Sequence, residues 1–168
     1  MRPRAPFLIA GLALVAAGCS TVAPSTPAPS VVDAAAPQPV ADHDWFFNLD
    51  GDTAHLAYGL AESDDLRLGM NCRRGSGQLE LGAMAESGAR AEIHLEAGGE
   101  TERLPARREP SEVHDGVFLI AGARTSEPVM LRFRQVGWLA QWRDGARETY
   151  VPAPASRGRI ERFFAFCG

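Results

Sequence analysis

The chain has 168 residues with 17 basic and 21 acidic side chains, a formal net charge of −4, and every basic residue is an arginine. An acidic balance with scattered arginines excludes a general nucleic-acid surface and an electrostatic grip on anionic lipid, since both partners require a basic field. The longest apolar run, Phe7 to Ala17, falls short of the ~20 residues a helix needs to cross a bilayer.

In chain order the first element is a leader over residues 1–18. Arg2 and Arg4 precede the apolar run, and the small residues Ala16, Ala17 and Gly18 stand before Cys19, the pattern of a secretory signal rather than a folded element. Leu14-Val15-Ala16-Ala17-Gly18-Cys19 resembles the lipobox of bacterial lipoproteins, with Ala16 where leucine is commoner. The resemblance implies cleavage before Cys19 and a diacylglycerol thioether on its sulfur. It also implies that Ser20, in place of an aspartate, directs the protein to the outer membrane, with the domain in the periplasm. Each buried methylene contributes ~0.8 kcal/mol, so two or three acyl chains hold where one binds only reversibly. Removing Arg2 and Arg4 from the 17 leaves 15 arginines against 21 acidic residues, a net −6.

Residues 19–41 follow as the lipidated cysteine and a tether. Ser20 to Ala41 is built almost wholly from Ala, Pro, Ser, Thr and Val, which cannot bury a core and extends toward about 70 Å at ~3.1 Å per residue in polyproline II. Residues 42–168 are the right size for a single domain with one core. Once Cys19 is acylated the remaining thiols are Cys72 and Cys167. In an oxidising compartment these are expected to pair, closing a long loop.

Within the domain, apolar and polar residues alternate as in half-buried antiparallel strands. Leu66, Leu68, Met70 and Cys72 share one face; Leu79, Leu81 and Ala83 share another after the turn cluster Arg73 to Gly77. Ala91, Ile93, Leu95 and Ala97 alternate with Arg90, Glu92, His94 and Glu96 up to Gly98-Gly99. Asp50-Gly51 and Asp144-Gly145 suit type I′ hairpin turns, predicting Trp45–Leu49 with Thr53–Tyr58 and Trp138–Arg143 with Ala146–Val151. His114-Asp115-Gly116 turns into the run Val117 to Ala121, and Pro128 opens a predicted strand with Val129, Leu131 and Phe133 inward. At the end Ile160, Phe163, Phe164 and Cys167 recur at i, i+3, i+4 and i+7, with Ser156 as cap, predicting a short helix. An extended final strand through Phe163, Phe164 and Phe166 is the competing reading. The expected fold is therefore all-β, an antiparallel sandwich or barrel of about nine strands with a short C-terminal helix.

Chemistry-bearing residues are sparse. Ser76 lies between Gly75 and Gly77 without the outer glycines of a nucleophile elbow. His43, His55, His94 and His114 lack helical zinc spacing. Glu62, Asp64 and Asp65 form the densest acidic spot, read as a solvated turn begun by Ser63 or Asp64, and Asp50-Gly51-Asp52 lacks the later ligands of a calcium loop. No catalytic group, metal site or cofactor is expected. The candidate ligand face is Trp138 and Trp142 on one strand with Arg132 and Arg134 on the preceding one, suited to a sugar ring or an anionic muropeptide.

The expected function is that of a non-catalytic outer-membrane lipoprotein, held by its N-terminal lipid, whose domain binds peptidoglycan or an envelope protein, or contributes structurally. Glu86-Ser87-Gly88-Ala89-Arg90-Ala91 is similar to the Ser-Gly-x-x-Tyr loop of membrane-bound C-type lysozyme inhibitors, with Ala91 in the aromatic position. That resemblance implies an inhibitor of lysozyme as one alternative. A wall or lipid hydrolase using Asp64, Asp65 and His114 is the other.

Overall fold

Nine strands pair antiparallel in the order β1-β2-β3-β4-β7-β6-β5-β8-β9 and curl into a nearly closed barrel. The computed structural model describes residues 37–111, 115–143 and 145–168. The leader, Cys19, Ser20, most of the tether, His114 and Asp144 lie outside the described residues. The strands are β1 (His43–Asp50), β2 (Thr53–Leu60), β3 (Leu66–Arg73), β4 (Gln78–Ala85), β5 (Glu92–Ala97), β6 (Glu100–Pro110), β7 (Val117–Arg124), β8 (Leu139–Arg143) and β9 (Ala146–Tyr150). Helix α1 (Pro128–Val136) separates β7 from β8, and a 3-10 turn (Pro154–Ser156) leads into α2 (Arg157–Cys167).

Period-two alternation places most of the core as the sequence predicts, but of the residues expected inward Leu66 is only half-buried and Ala91, just before β5, is exposed. Leu68, Met70 and Cys72 of β3, Leu79, Leu81 and Ala83 of β4, and Ile93, Leu95 and Ala97 of β5 are all buried. The expected terminal helix is present, and its stripe of Ile160, Phe163, Phe164 and Cys167 is buried. Both hairpins expected at the Asp-Gly pairs also form. At the first, the two loop residues are Gly51 and Asp52, and Gly51 has φ +56°. Asp52 is not left-handed, so the turn is not the type I′ expected there. Gly98-Gly99, with φ of +51° and +95°, carries left-handed conformations at both loop positions between β5 and β6, as a type I′ turn requires.

Two predictions are corrected. The run after Pro128 is helix α1, with Pro128 at its start and Gly137 at its end in the left-handed region, its N–H donating to the Phe133 carbonyl. Proline at the first helical position and glycine just past the last are the usual end signals. Strand β6, not anticipated, restores the count of nine. Its first half pairs with β5 from Ala97↔Glu100 to Glu92↔Pro105, and its second half with β7 from Ala106↔Ala121 to Pro110↔Val117. This one strand carries the sheet around its bend.

The edges β1 and β9 meet through side chains. Trp45 Nε1 donates to the Tyr150 carbonyl at 3.2 Å. The Asp44 carboxylate collects the Trp45 and Ala153 backbone N–H groups, the Ser156 hydroxyl and the Arg159 guanidinium. Ser156 thus stands at the α2 N-cap, but its hydroxyl serves Asp44 rather than the helix. Inside, Trp45 packs at 5.1 to 5.3 Å from Phe133 and Tyr58, and Phe133 continues to Phe164 at 5.7 Å. Cys72 and Cys167 form the expected disulfide, joining α2 to β3. Beside it, the Gly75 and Gly77 N–H groups donate to the Phe166 and Cys167 carbonyls at 2.9 and 2.8 Å, satisfying acceptors a helix end leaves open.

Candidate ligand-binding cleft

Alternation in β5 turns Glu92, His94 and Glu96 away from the core, opposite to Ile93, Leu95 and Ala97. Strand pairing then aligns a row across four strands: Arg103 of β6 faces His94, His94 faces Trp142 of β8, and Trp142 faces Arg147 of β9. Residues directly opposite on a sheet have β-carbons about 5 Å apart, so the row is continuous. The His94 and Trp142 rings stack with centroids 5.9 Å apart and planes 18° from parallel.

Glu96 locks this row. One carboxylate oxygen accepts from Trp142 Nε1 at 3.2 Å, and Arg147 bonds both oxygens at 2.7 and 2.8 Å. The Arg147 guanidinium also lies 5.6 Å from the centroid of the Trp138 ring. Hydrogen bonding from Arg147 holds the Glu96 carboxyl below its ordinary range, against the opposing effect of burial. Burial, helped by the charge of Arg103, lowers the proton affinity of His94. Trp142 nevertheless remains 38% exposed. A large indole with its ring nitrogen bonded and an imidazole stacked beside it keeps part of its surface open to solvent.

The row borders a cleft of about 410 Å³ lined by Trp142, His94 and the turn between β4 and β5, with Arg90, Arg103 and Arg143 also among its lining residues. Gln141, 1% exposed, also lines it. Its Oε1 accepts from the Tyr150 hydroxyl at 3.0 Å. Arg143 is fixed by Glu148 at 3.0 Å and by the Met84 carbonyl at 3.3 Å. Glu92 is the cleft's one carboxylate among the described lining residues, bonded to Arg103 at 2.5 Å and 3.4 Å from Arg90. The volume lies within the range of small-molecule sites.

Of the expected ligand face, the structure links Trp138 and Trp142 through Arg147 and Glu96. Arg132 and Arg134 stand on α1 rather than on a preceding strand: Arg134 pairs with Glu161 of α2, and Arg132 bonds Gln135. The four do not share a sheet face. His94, Glu96, Arg103 and Arg147 are the residues missed. Arg147 was within reach, because the Asp144-Gly145 hairpin sets it opposite Trp142, whereas the pairing of β5 with β8 has no local signal.

The acidic spot is a turn. Ser63 Oγ accepts from the Asp65 N–H at 3.1 Å, and Asp65 is bonded by Arg67 at 2.8 Å and by His43 at 3.4 Å. Burial works to raise its pKa, but Arg67 and His43 together hold it below the ordinary range. Asp64 is exposed. The Ser76 hydroxyl is engaged with Gln78 in its turn. Ser87 and Gly88, in the segment similar to lysozyme inhibitors, form an exposed turn that Arg108 clasps through the Ser87 carbonyl. Among the described residues no three His, Cys, Asp or Glu side chains are grouped to hold a metal. Comparison with family models, with curated proteins and with solved structures found no match to this chain.

Proposed function

We propose that the protein is a non-catalytic envelope lipoprotein, held at the outer membrane by acylated Cys19, whose periplasmic barrel binds a cell-wall saccharide on the Trp142–His94 stack. One observation carries the reading: Trp142 stays partly exposed while Glu96 bonds its ring nitrogen and the His94 ring stacks beside it. Phe46 is exposed to much the same degree, 37%, but it is Trp142 that combines exposure with a stacked imidazole and a carboxylate on its ring nitrogen. A pyranose offers a flat face of C–H groups to a fixed ring and hydroxyls to the flanking Arg and Glu groups. Preorganisation lowers the ordering cost of such binding. The disulfide and the lipobox-like leader support an exported, oxidising setting.

Fluorescence titration of the full chain with soluble peptidoglycan fragments tests this. The signal is expected to saturate, and Trp142→Ala to weaken binding at least tenfold, about 1.4 kcal/mol, while the near-UV spectrum keeps its Trp45 core signature. A flat titration at millimolar fragment refutes the saccharide reading.

A further inference from the structure

We infer that the cleft beside the Trp142–His94 stack selects saccharides that carry a carboxylate. The inference rests on the saccharide reading and adds a charge requirement to it.

Three guanidinium groups, Arg90, Arg103 and Arg143, line a cleft that contains one described carboxylate, Glu92. Neutral histidine does not alter the balance, since burial and Arg103 disfavour the charged form of His94. Counting Glu148, which pairs with Arg143, the cleft holds one more guanidinium than carboxylates, in a chain whose net charge is −4, and Arg143 also borders a neighbouring pocket lined by Asp64, Asp65, Glu86 and Asp115. The cleft's cations differ in exposure. Arg143 is held by Glu148 and the Met84 carbonyl, and only 24% of its side chain is exposed. Arg90 is 82% exposed and shares Glu92 with Arg103. Guanidinium groups lining one cleft are suited to a planar anion, because bidentate contacts to carboxylate are stronger than neutral hydrogen bonds.

Gln141 supplies the second, independent observation. Its carbonyl oxygen is committed to Tyr150, and it lines the cleft while almost fully buried. Among the described bonds its amide nitrogen has no partner, which leaves two N–H donors for an acceptor in the cleft. Donors, two arginines and an aromatic wall converge within one cavity.

Wall glycans present carboxylates of two origins: the lactyl ether of muramic acid where the peptide has been removed, and the acidic residues of the peptide where it remains. Calorimetric titration of the full chain in mild detergent separates them, using N-acetylglucosaminyl-N-acetylmuramic acid, the corresponding muramyl peptide, and neutral chitobiose. At least one carboxylated ligand is expected to bind about tenfold or more tightly than chitobiose, as a charge-assisted pair implies. The stronger of the two identifies the source. Arg90→Glu, at an exposed position, and Arg143→Gln are each expected to bring the ratio of acidic to neutral affinity toward one. Equal affinity for all three sugars, with loss in Trp142→Ala, overturns the charge inference and leaves the saccharide reading standing. Absence of binding by any sugar overturns both. A carboxylate preference unchanged in Arg90→Glu and in folded Arg143→Gln overturns the assignment to this cleft.

Discussion

Glu96 is the residue on which the exposed aromatic surface depends, because one carboxylate orients Trp142 and Arg147 and, through Arg147, the cation above Trp138. Its folded pKa is depressed, so its contribution to stability is full above the ordinary glutamate value of about 4.3 and is lost as pH falls through the lower folded value. His94 obeys the same sign for a different reason: a base whose folded pKa is lowered gives stability above the ordinary value near 6.5 that declines as pH falls through the folded one. Two events are therefore expected in acid. An NMR titration should place the His94 midpoint below 6.5. Tryptophan emission should change again only below the ordinary glutamate range, when Glu96 releases Trp142; in Glu96→Gln this second step should vanish. At this scale the sequence was half legible. Residue types and outward faces could be read from alternation, as for His94 between Glu92 and Glu96. The contact between His94 and Trp142, 48 residues apart in the chain, depends on which strands become neighbours, and alternation is silent on that.

Helix α1 shows why an element can be misassigned from a sound pattern. Val129 and Phe133 are four apart, a spacing that returns to the same face in a strand and nearly so in a helix. The discriminating pair lies between them: Met130 is buried and Leu131 is 47% exposed, the reverse of the strand expectation. Pro128 and Gly137 mark the helix ends and outweigh the alternation. Strand β6 escaped for the opposite reason. Of Glu100 to Pro110 only Leu104 is fully buried, so there is almost no apolar face to detect, and the two prolines argue against a central strand. A further element, the bulge between β2 and β3, makes Arg67 the extra residue as the register passes from Tyr58↔Leu68 to Gly59↔Leu66. Bulges re-aim side chains, and here the re-aimed Arg67 reaches Asp65. A β-carbon on Gly59 would sit 2.3 Å from the Asp65 carbonyl oxygen, so Gly59→Ala is expected to cost about 2–3 kcal/mol. Gly122→Ala meets open space on an ordinary backbone and should be neutral or stabilising by up to ~1 kcal/mol. Urea denaturation of the two variants gives the comparison.

Over the whole molecule, cohesion comes from a core shared between the curled sheet and two helices, and from closures that substitute for strand pairing between β1 and β9. The Cys72–Cys167 bridge spans 95 residues, so replacing both cysteines by serine is expected to lower stability by about 2–5 kcal/mol, read as a fall in the thermal midpoint that reductant reproduces in the parent protein. A midpoint indifferent to both treatments would mean that the Gly75 and Gly77 bonds to the end of α2 suffice. Architecture at this level was largely legible, since repeated alternation, glycine turns and a terminal apolar stripe together specify a helix-capped β fold; strand order was not, because it is written in long-range packing. The bridge has one more implication, for biosynthesis. A ribosome releases the sulfur of residue 72 long before its mate exists, and for that interval a nucleophilic thiol travels on an unfinished ribbon. Maturation yield should thus hinge on the cellular oxidases that close the bridge, rather than on how quickly the hairpins zip.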